Sequence, residues 1–246
     1  MPHRALARAA TLAAGLGLMA ALTTCSEVGD RRPTQGEDQS MLTAAERAAG
    51  WRSLFDGRST AGWRGYRQDA MPVGWQAIDG ALTRVGPAGD IVTVDQYGDC
   101  ELSLEWRVEV GGNSGIFYRV TEDDEYPWQS GPEMQVLDDA NHPDGRSPLT
   151  SAGALYGIYP AQSGIVRPAG AWNTARIVMH GGHVEHWLNG VKLVEAELGS
   201  PDWKARVGRS KFAAMPRFGR NESGHLGLQD HGDRVAFREI KIRLLP

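Results

Sequence analysis

A chain of 246 residues with 41% hydrophobic and 23% charged residues has the composition of an ordinary globular protein. One domain of roughly 100–200 residues is the default at this length, and all-β domains often run larger. A net charge of -4 and a pI near 6.0 offer no basic excess for a phosphate backbone, so nucleic acid is excluded as an expected partner.

The N-terminus reads as a sorting signal. Arg4 and Arg8 precede an apolar run from Ala9 to Leu22. This run falls short of the roughly 20 residues that a membrane-spanning helix needs. Leu22-Thr23-Thr24-Cys25 then has the form of a bacterial lipobox. Residues 1–25 are therefore expected to be a lipoprotein signal peptide with Cys25 as the lipid anchor. The mature protein would sit at the periplasmic face of a bacterial membrane or at the cell surface, touching the membrane through its lipid alone. Residues 26–41 are polar and charged and read as a tether. With Cys25 lipidated, Cys100 is a lone thiol, expected to be quiet and buried.

The folded domain is expected over residues 42–246. Thr43 with Glu46 three residues on forms a capping box, and Gly50 ends one short helix over 42–49. The pattern then changes to period two. Leu102, Leu104, Trp106 and Val108 alternate with Glu101, Ser103, Glu105 and Arg107, as in a strand with one buried face. Gly181-Gly182 and Asn189-Gly190 close two successive hairpins, the second with the residue pair that a type I′ turn favours. Residues 234–245 alternate again. Short strands, frequent glycine turns and little helix predict a β-sandwich or barrel.

Several blocks, taken in order, resemble one family. They are Leu54-Phe55-Asp56-Gly57 with Gly62-Trp63, then Gly112-Asn113-Ser114-Gly115-Ile116 through Tyr118-Arg119, and Glu133-Met134-Gln135-Val136-Leu137-Asp138. Gly153-Ala154-Leu155-Tyr156, Trp172-Asn173, the stretch Glu185 to Gly190, and Leu228-Gln229-Asp230-His231-Gly232 follow. Over residues 51–245 the chain is similar to the 3-keto-disaccharide hydrolases, also described as 3-keto-glucoside 1,2-lyases and 3-keto-2-hydroxy-glucal hydratases. The resemblance implies an all-β, concanavalin-like jelly-roll sandwich and an oxidised-sugar substrate.

Glu133, Asp138, His231 and Arg119 are the expected catalytic groups, lining one cleft. Glu133 and Gln135 share a strand face; Asp138, five residues on, faces the other way unless a bulge restores the phase. The spacing is similar to the acidic strand of retaining laminarinase-like glycosidases, whose two carboxyls stand about 5–5.5 Å apart. Here, however, the middle acid is Gln and the last is Asp. Alternation puts Asn113, Gly115, Phe117 and Arg119 on one side, with Gly115 leaving room for a ligand and Arg119 a cation for a sugar carbonyl oxygen. Histidine as a residue type can take and return a proton near neutrality, which is the work expected of His231. Asn113, Gln135, Tyr156, Gln229 and Asp230 are expected to bind substrate, and Trp128 or Trp172 to stack on a pyranose ring.

No cofactor is expected with certainty. A divalent metal is weighed at Asp138, Asp139, Asn141, His142 and Asp144, and zinc at His180, His183 and His186 is discounted, because 183 and 186 lie on opposite strand faces. The expected function is cleavage of 3-keto-glycosides by elimination across C1–C2 and then hydration. The alternatives are a non-catalytic carbohydrate-binding lipoprotein and a conventional retaining glycosidase.

Overall fold

The computed structural model describes residues 42–246, so the expected signal peptide, Cys25 anchor and tether lie outside the described residues. The chain enters through helix α1 (Ala44–Ala48), where both halves of the Thr43/Glu46 capping box are made. Thirteen strands follow among the described residues, in two antiparallel sheets.

The larger sheet is built from β1 (Trp51–Ser53), β3 (Trp75–Ile78), β4 (Ala81–Arg84), β6 (Cys100–Val108), β9 (Asn173–His180), β10 (His183–Leu188), β11 (Val191–Glu197) and β13 (Val235–Leu244). Its main path runs β11-β10-β9-β6-β13-β4-β3, with β1 paired on β13. The second sheet holds β2 (Trp63–Gly65), β5 (Ile91–Thr93), β7 (Asn113–Val120), β8 (Glu133–Leu137) and β12 (His225–Leu228), in the order β2-β5-β12-β7-β8. This is the sandwich that the sequence leads one to expect.

Both predicted hairpins form. β9 and β10 join through Gly181-Gly182, and β10 and β11 through Asn189 and Gly190, which both take positive φ (49° and 83°) as a type I′ turn requires. Leu102, Leu104, Trp106 and Val108 of β6 are buried against Ile116 and Tyr118 of β7 and Met134 and Val136 of β8. Burying side chains of this size is the main stabilising term, about 1.5–3 kcal/mol for each. Cys100 lies in the same core, and burial pushes its thiol up to about 12, so it stays protonated and inert. His186 is also interior. Its ring lies between the Tyr118 hydroxyl and the Gly153 carbonyl, and burial depresses its pKa to about 4, so it packs as a neutral ring.

One element departs from the expectation of a single helix. Residues Pro201–Val207 form a second helix, α2, capped by Ser200 with Pro201 in its first turn. It leads into a 3-10 turn, Lys211–Ala214, pinned by buried Phe212. Trp203, Phe212 and Phe218 stack there, with ring centroids 4.0–5.8 Å apart for the two pairs that include Phe218.

Candidate active site

The inward residues of β7 and β8 send their neighbours to the outer face of the smaller sheet. Gly115 pairs with Gln135, and Phe117 with Glu133, so Glu133 and Gln135 share that face as predicted. The free edge of β8 is covered by the segment Gly153–Tyr156. Gln135 N–H donates to Ala154 O, and Tyr156 N–H donates to Glu133 O. That segment carries Tyr156 to the Glu133 side chain. On the other flank, Gln229 N–H donates to Gly115 O, bringing Gln229 beside the same glycine.

Gly115 is where the face is most constrained. A Cβ there would run into the Glu133 carboxyl, because the side chain lies across the glycine. The room that Gly115 leaves is thus taken by Glu133 itself. Glu133 is 6% exposed, and no donor among the described residues bonds its carboxyl. Burial pushes its pKa up to about 8; the Lys211 ammonium opposes this, and the carboxylates of Asp90 and Asp144 add to it. Around it, both amide atoms of Gln135 and Oε1 of Gln229 are buried without partners. Native interiors seldom leave such groups unpaired, and their clustering marks a surface built for a polar ligand.

Tyr156, Lys211 and His142 complete the surroundings. The Tyr156 hydroxyl donates to Asp144, and burial with the charges of Asp144 and Glu133 pushes its pKa up to about 12. Lys211 Nζ stands 4.3 Å from the Tyr156 ring centroid and 5.7 Å from that of Trp128, which in turn stacks on Tyr126. His142 Nδ1 accepts from the Asp144 N–H, so the neutral ring carries its proton on Nε2, 3.4 Å from the Asn113 amide nitrogen. Turning that amide over gives the proton an oxygen to bond, and accounts for the otherwise unpartnered Asn113 Oδ1. The exposed His231 ring stands edge-on to His142, with centroids 6.3 Å apart.

Three expected site residues are placed elsewhere. Arg119 takes φ 54° in a β-bulge, where the β12 pairing shifts between His225 and Gly227. The extra residue reverses the alternation, so Arg119 leaves the Phe117 side and bonds Asp99 and the Gly181 carbonyl, on the loops that flank β6 and β9. Asp138 ends β8 and closes a turn. Burial alone would raise its pKa, but bonds from the Gly111 and Ala140 N–H groups and the Asn141 side chain outweigh it and hold the carboxyl low. Asp230 is likewise an anchor, paired with Arg84 and accepting from the Ala88 and Gly89 N–H groups.

Of the stacking candidates, Trp128 borders the site, whereas Trp172 is clasped by Arg107 and Arg238 of the larger sheet. Asp138 and Asp139 both spend their carboxyls on backbone N–H groups, so the loop from 138 to 144 offers a cation a depleted set of ligands. Among the described residues, a group with metal-like spacing is His183, Glu185 and Glu195, on β10 and β11 of the larger sheet. Lys192 already bridges those two glutamates.

Sequence reasoning missed Lys211 and Asp90, and weighed His142 only as a metal ligand and not at the candidate site. Asp90 sits beside Gln229, where its carboxyl accepts from the Asp230 N–H, and burial raises it to about 6.

The chain matches the family described as the 3-keto-alpha-glucoside-1,2-lyase-like domain over residues 50–243. It is 36% identical over 230 residues to a protein named 3-keto-disaccharide hydrolase from Bacteroides thetaiotaomicron, covering 80% of this chain and 79% of that one. A crystal structure of a candidate glycosyl hydrolase from Parabacteroides distasonis superposes with a TM-score of 0.79 at 36% identity, over 84% of this chain and 99% of the other. A second from the same organism gives 0.67 at 32% identity, over 79% and 99%. Match and likeness both span the sandwich that carries Glu133, and the chain belongs to the family of 3-keto-alpha-glucoside-1,2-lyase-like domains.

Proposed function

We propose that this protein is a glycoside-cleaving enzyme acting on 3-keto-glycosides, by elimination across C1–C2 followed by addition of water. The observation that carries the reading is Glu133. Its carboxyl is buried, unbonded and held near pKa 8, among unpartnered amides and beside one ammonium group.

A ketone at C3 acidifies the C2 hydrogen, since the resulting anion spreads onto the carbonyl oxygen. Glu133 takes that proton; a carboxylate of raised pKa is a stronger base than an ordinary one and still ionises near neutrality. The C–H electrons form C2=C3, and the oxygen at C3 gains the charge. Lys211 holds that charge, in the role that the sequence suggested for Arg119. The C3 carbonyl then re-forms, C1=C2 forms, and the C1–O bond breaks. His231, at the exposed mouth beside His142, protonates the departing oxygen. Water adds at C1 and gives its proton to His231, while Glu133 returns a proton to C2, so both groups are restored and the net change is hydrolysis. The acid that the sequence offered as the partner for a retaining displacement, Asp138, is committed to its turn.

The route is tested in heavy water. The released 3-keto sugar is expected to carry deuterium at C2 well above that of the same sugar incubated alone, and the unoxidised parent glycoside is expected to be inert. Unlabelled product together with brisk cleavage of the parent would establish ordinary hydrolysis instead. Lys211→Met keeps the length of the stem and removes the charge. It is expected to lower kcat by about 10²–10³-fold with a small change in KM, as the loss of a transition-state donor does. Unchanged kcat would remove Lys211 from the chemistry.

A further inference from the structure

Arg119 leaves the sheet-face site only to line another. Its bulge turns it into a cleft of about 830 Å³ between the ends of the strands and the segment that runs from α2 to Phe218. That volume is ample for a small organic molecule. Leu198, Val207, Met215 and Phe218 supply apolar wall. Gly181 and Gly199 also border it, and open space stands where either would carry a Cβ. None of Glu133, Gln135, Asn113 and Gln229 lines this cleft.

Its charges are uneven. Arg119, Lys204 and Arg220 face Asp99 and Glu222, three cations against two carboxylates. The Arg119 side chain is only 5% exposed, yet its Nε–H has no acceptor. Nη1 bonds the Gly181 carbonyl and Nη2 bonds Asp99, a partner that is itself 34% exposed and shared with the Gly181 N–H. The guanidinium is thus paired with a single, partly exposed carboxylate and keeps one donor unbonded, and guanidinium groups favour carboxylates for their matching planar geometry.

We propose that this cleft is a second binding site, for an amphipathic organic acid. The carboxylate is held at Arg119 with Lys204 at the rim, and an aryl or alkyl body lies against Leu198, Val207, Met215 and Phe218. The site stands whether or not Glu133 does the chemistry proposed above, since it shares no residue with that centre.

The test uses 1-naphthylacetate and its methyl ester, titrated calorimetrically against the purified protein. The acid is expected to bind one site per chain, and the ester at least tenfold more weakly. Lys204→Glu, at an exposed position, is expected to weaken the acid several-fold. Met215→Trp, which fills the cleft, is expected to abolish binding, whereas Glu133→Gln leaves it unchanged. Arg119→Met is expected to erase the preference for acid over ester; should that variant not fold, Lys204→Glu and Met215→Trp still decide. No saturable binding at millimolar acid, equal affinity for the ester, or binding that survives Met215→Trp but is lost with Glu133→Gln would each overturn the proposal.

Discussion

Glu133→Gln is expected to reduce turnover of a 3-keto-glycoside by about 10²–10⁴-fold, the usual worth of a positioned acid–base group, and to make the protein more heat-stable at neutral and alkaline pH. Gln keeps the shape of the side chain that fills the space over Gly115, so packing is preserved. It cannot exchange a proton. The stability effect follows from linkage. Burial raises the folded-state pKa of Glu133 from 4.5 to about 8, so the carboxyl stays protonated in the fold where the unfolded chain has already released its proton. The favourable contribution is complete below about pH 4.5 and is lost progressively up to about pH 8. Glutamine has nothing to lose over that window. The two proteins should therefore melt together at pH 4.5, separate as the pH rises, and keep a constant difference of several degrees beyond pH 8. Thermal melts at pH 4.5, 7 and 9 read this directly. Parallel curves at all three would mean an ordinary carboxyl at 133, and the proposed base would have to be another group. The same raised pKa predicts that kcat/KM of the wild-type protein climbs with pH until Glu133 is ionised.

How far the sequence reaches can be judged from particular residues. Period-two alternation placed the core residues of β6 and the shared face of Glu133 and Gln135, because strand geometry alone settles them. Asn189-Gly190 specified its turn through backbone preference, again a local property. The same rule failed at Arg119, where a non-glycine residue at φ 54° adds one position to the strand and sends the side chain to the other side. Nothing in NSGIFYR announces that bulge. Asp138 was misread for a different reason. An acid following a strand can serve substrate or its own turn, and only the positions of Gly111 and Asn141 show that it serves the turn. Lys211 lies 78 residues beyond Glu133 in the chain and meets it through the packing of Phe212, a long-range coincidence that no local pattern encodes. Helix α2 is the exception among the misses, since Ser200-Pro201 is a standard opening that the β-rich context obscured.

Gly115→Ala is expected to cost at least about 100-fold in turnover while leaving the fold in place. Gly115 is not among the residues at positive φ, so alanine meets no backbone penalty there, and a strand position loses nothing by gaining a methyl group in itself. The difficulty is what already occupies the space. The new Cβ would run into Oε1 of Glu133 and stand 2.7 Å from its Cδ and 2.8 Å from its Cγ. Both contacts are with a side chain, so relief comes from rotating Glu133 away from the sheet toward Tyr156 and Lys211, and the β7–β8 pairing can stay intact. Displacing a reacting group by about 1 Å is enough for a loss of about 10² in rate. Rotation outward also exposes the carboxyl to water and charge, so its pKa should fall, and the pH dependence of stability that distinguishes the wild type from Glu133→Gln should shrink in the Gly115→Ala protein. Kinetics with a 3-keto-glycoside, together with melts across the same pH range, test both halves at once. A Gly115→Ala protein that turns over substrate at the wild-type rate would show that the position of Glu133 over this glycine has no bearing on the chemistry.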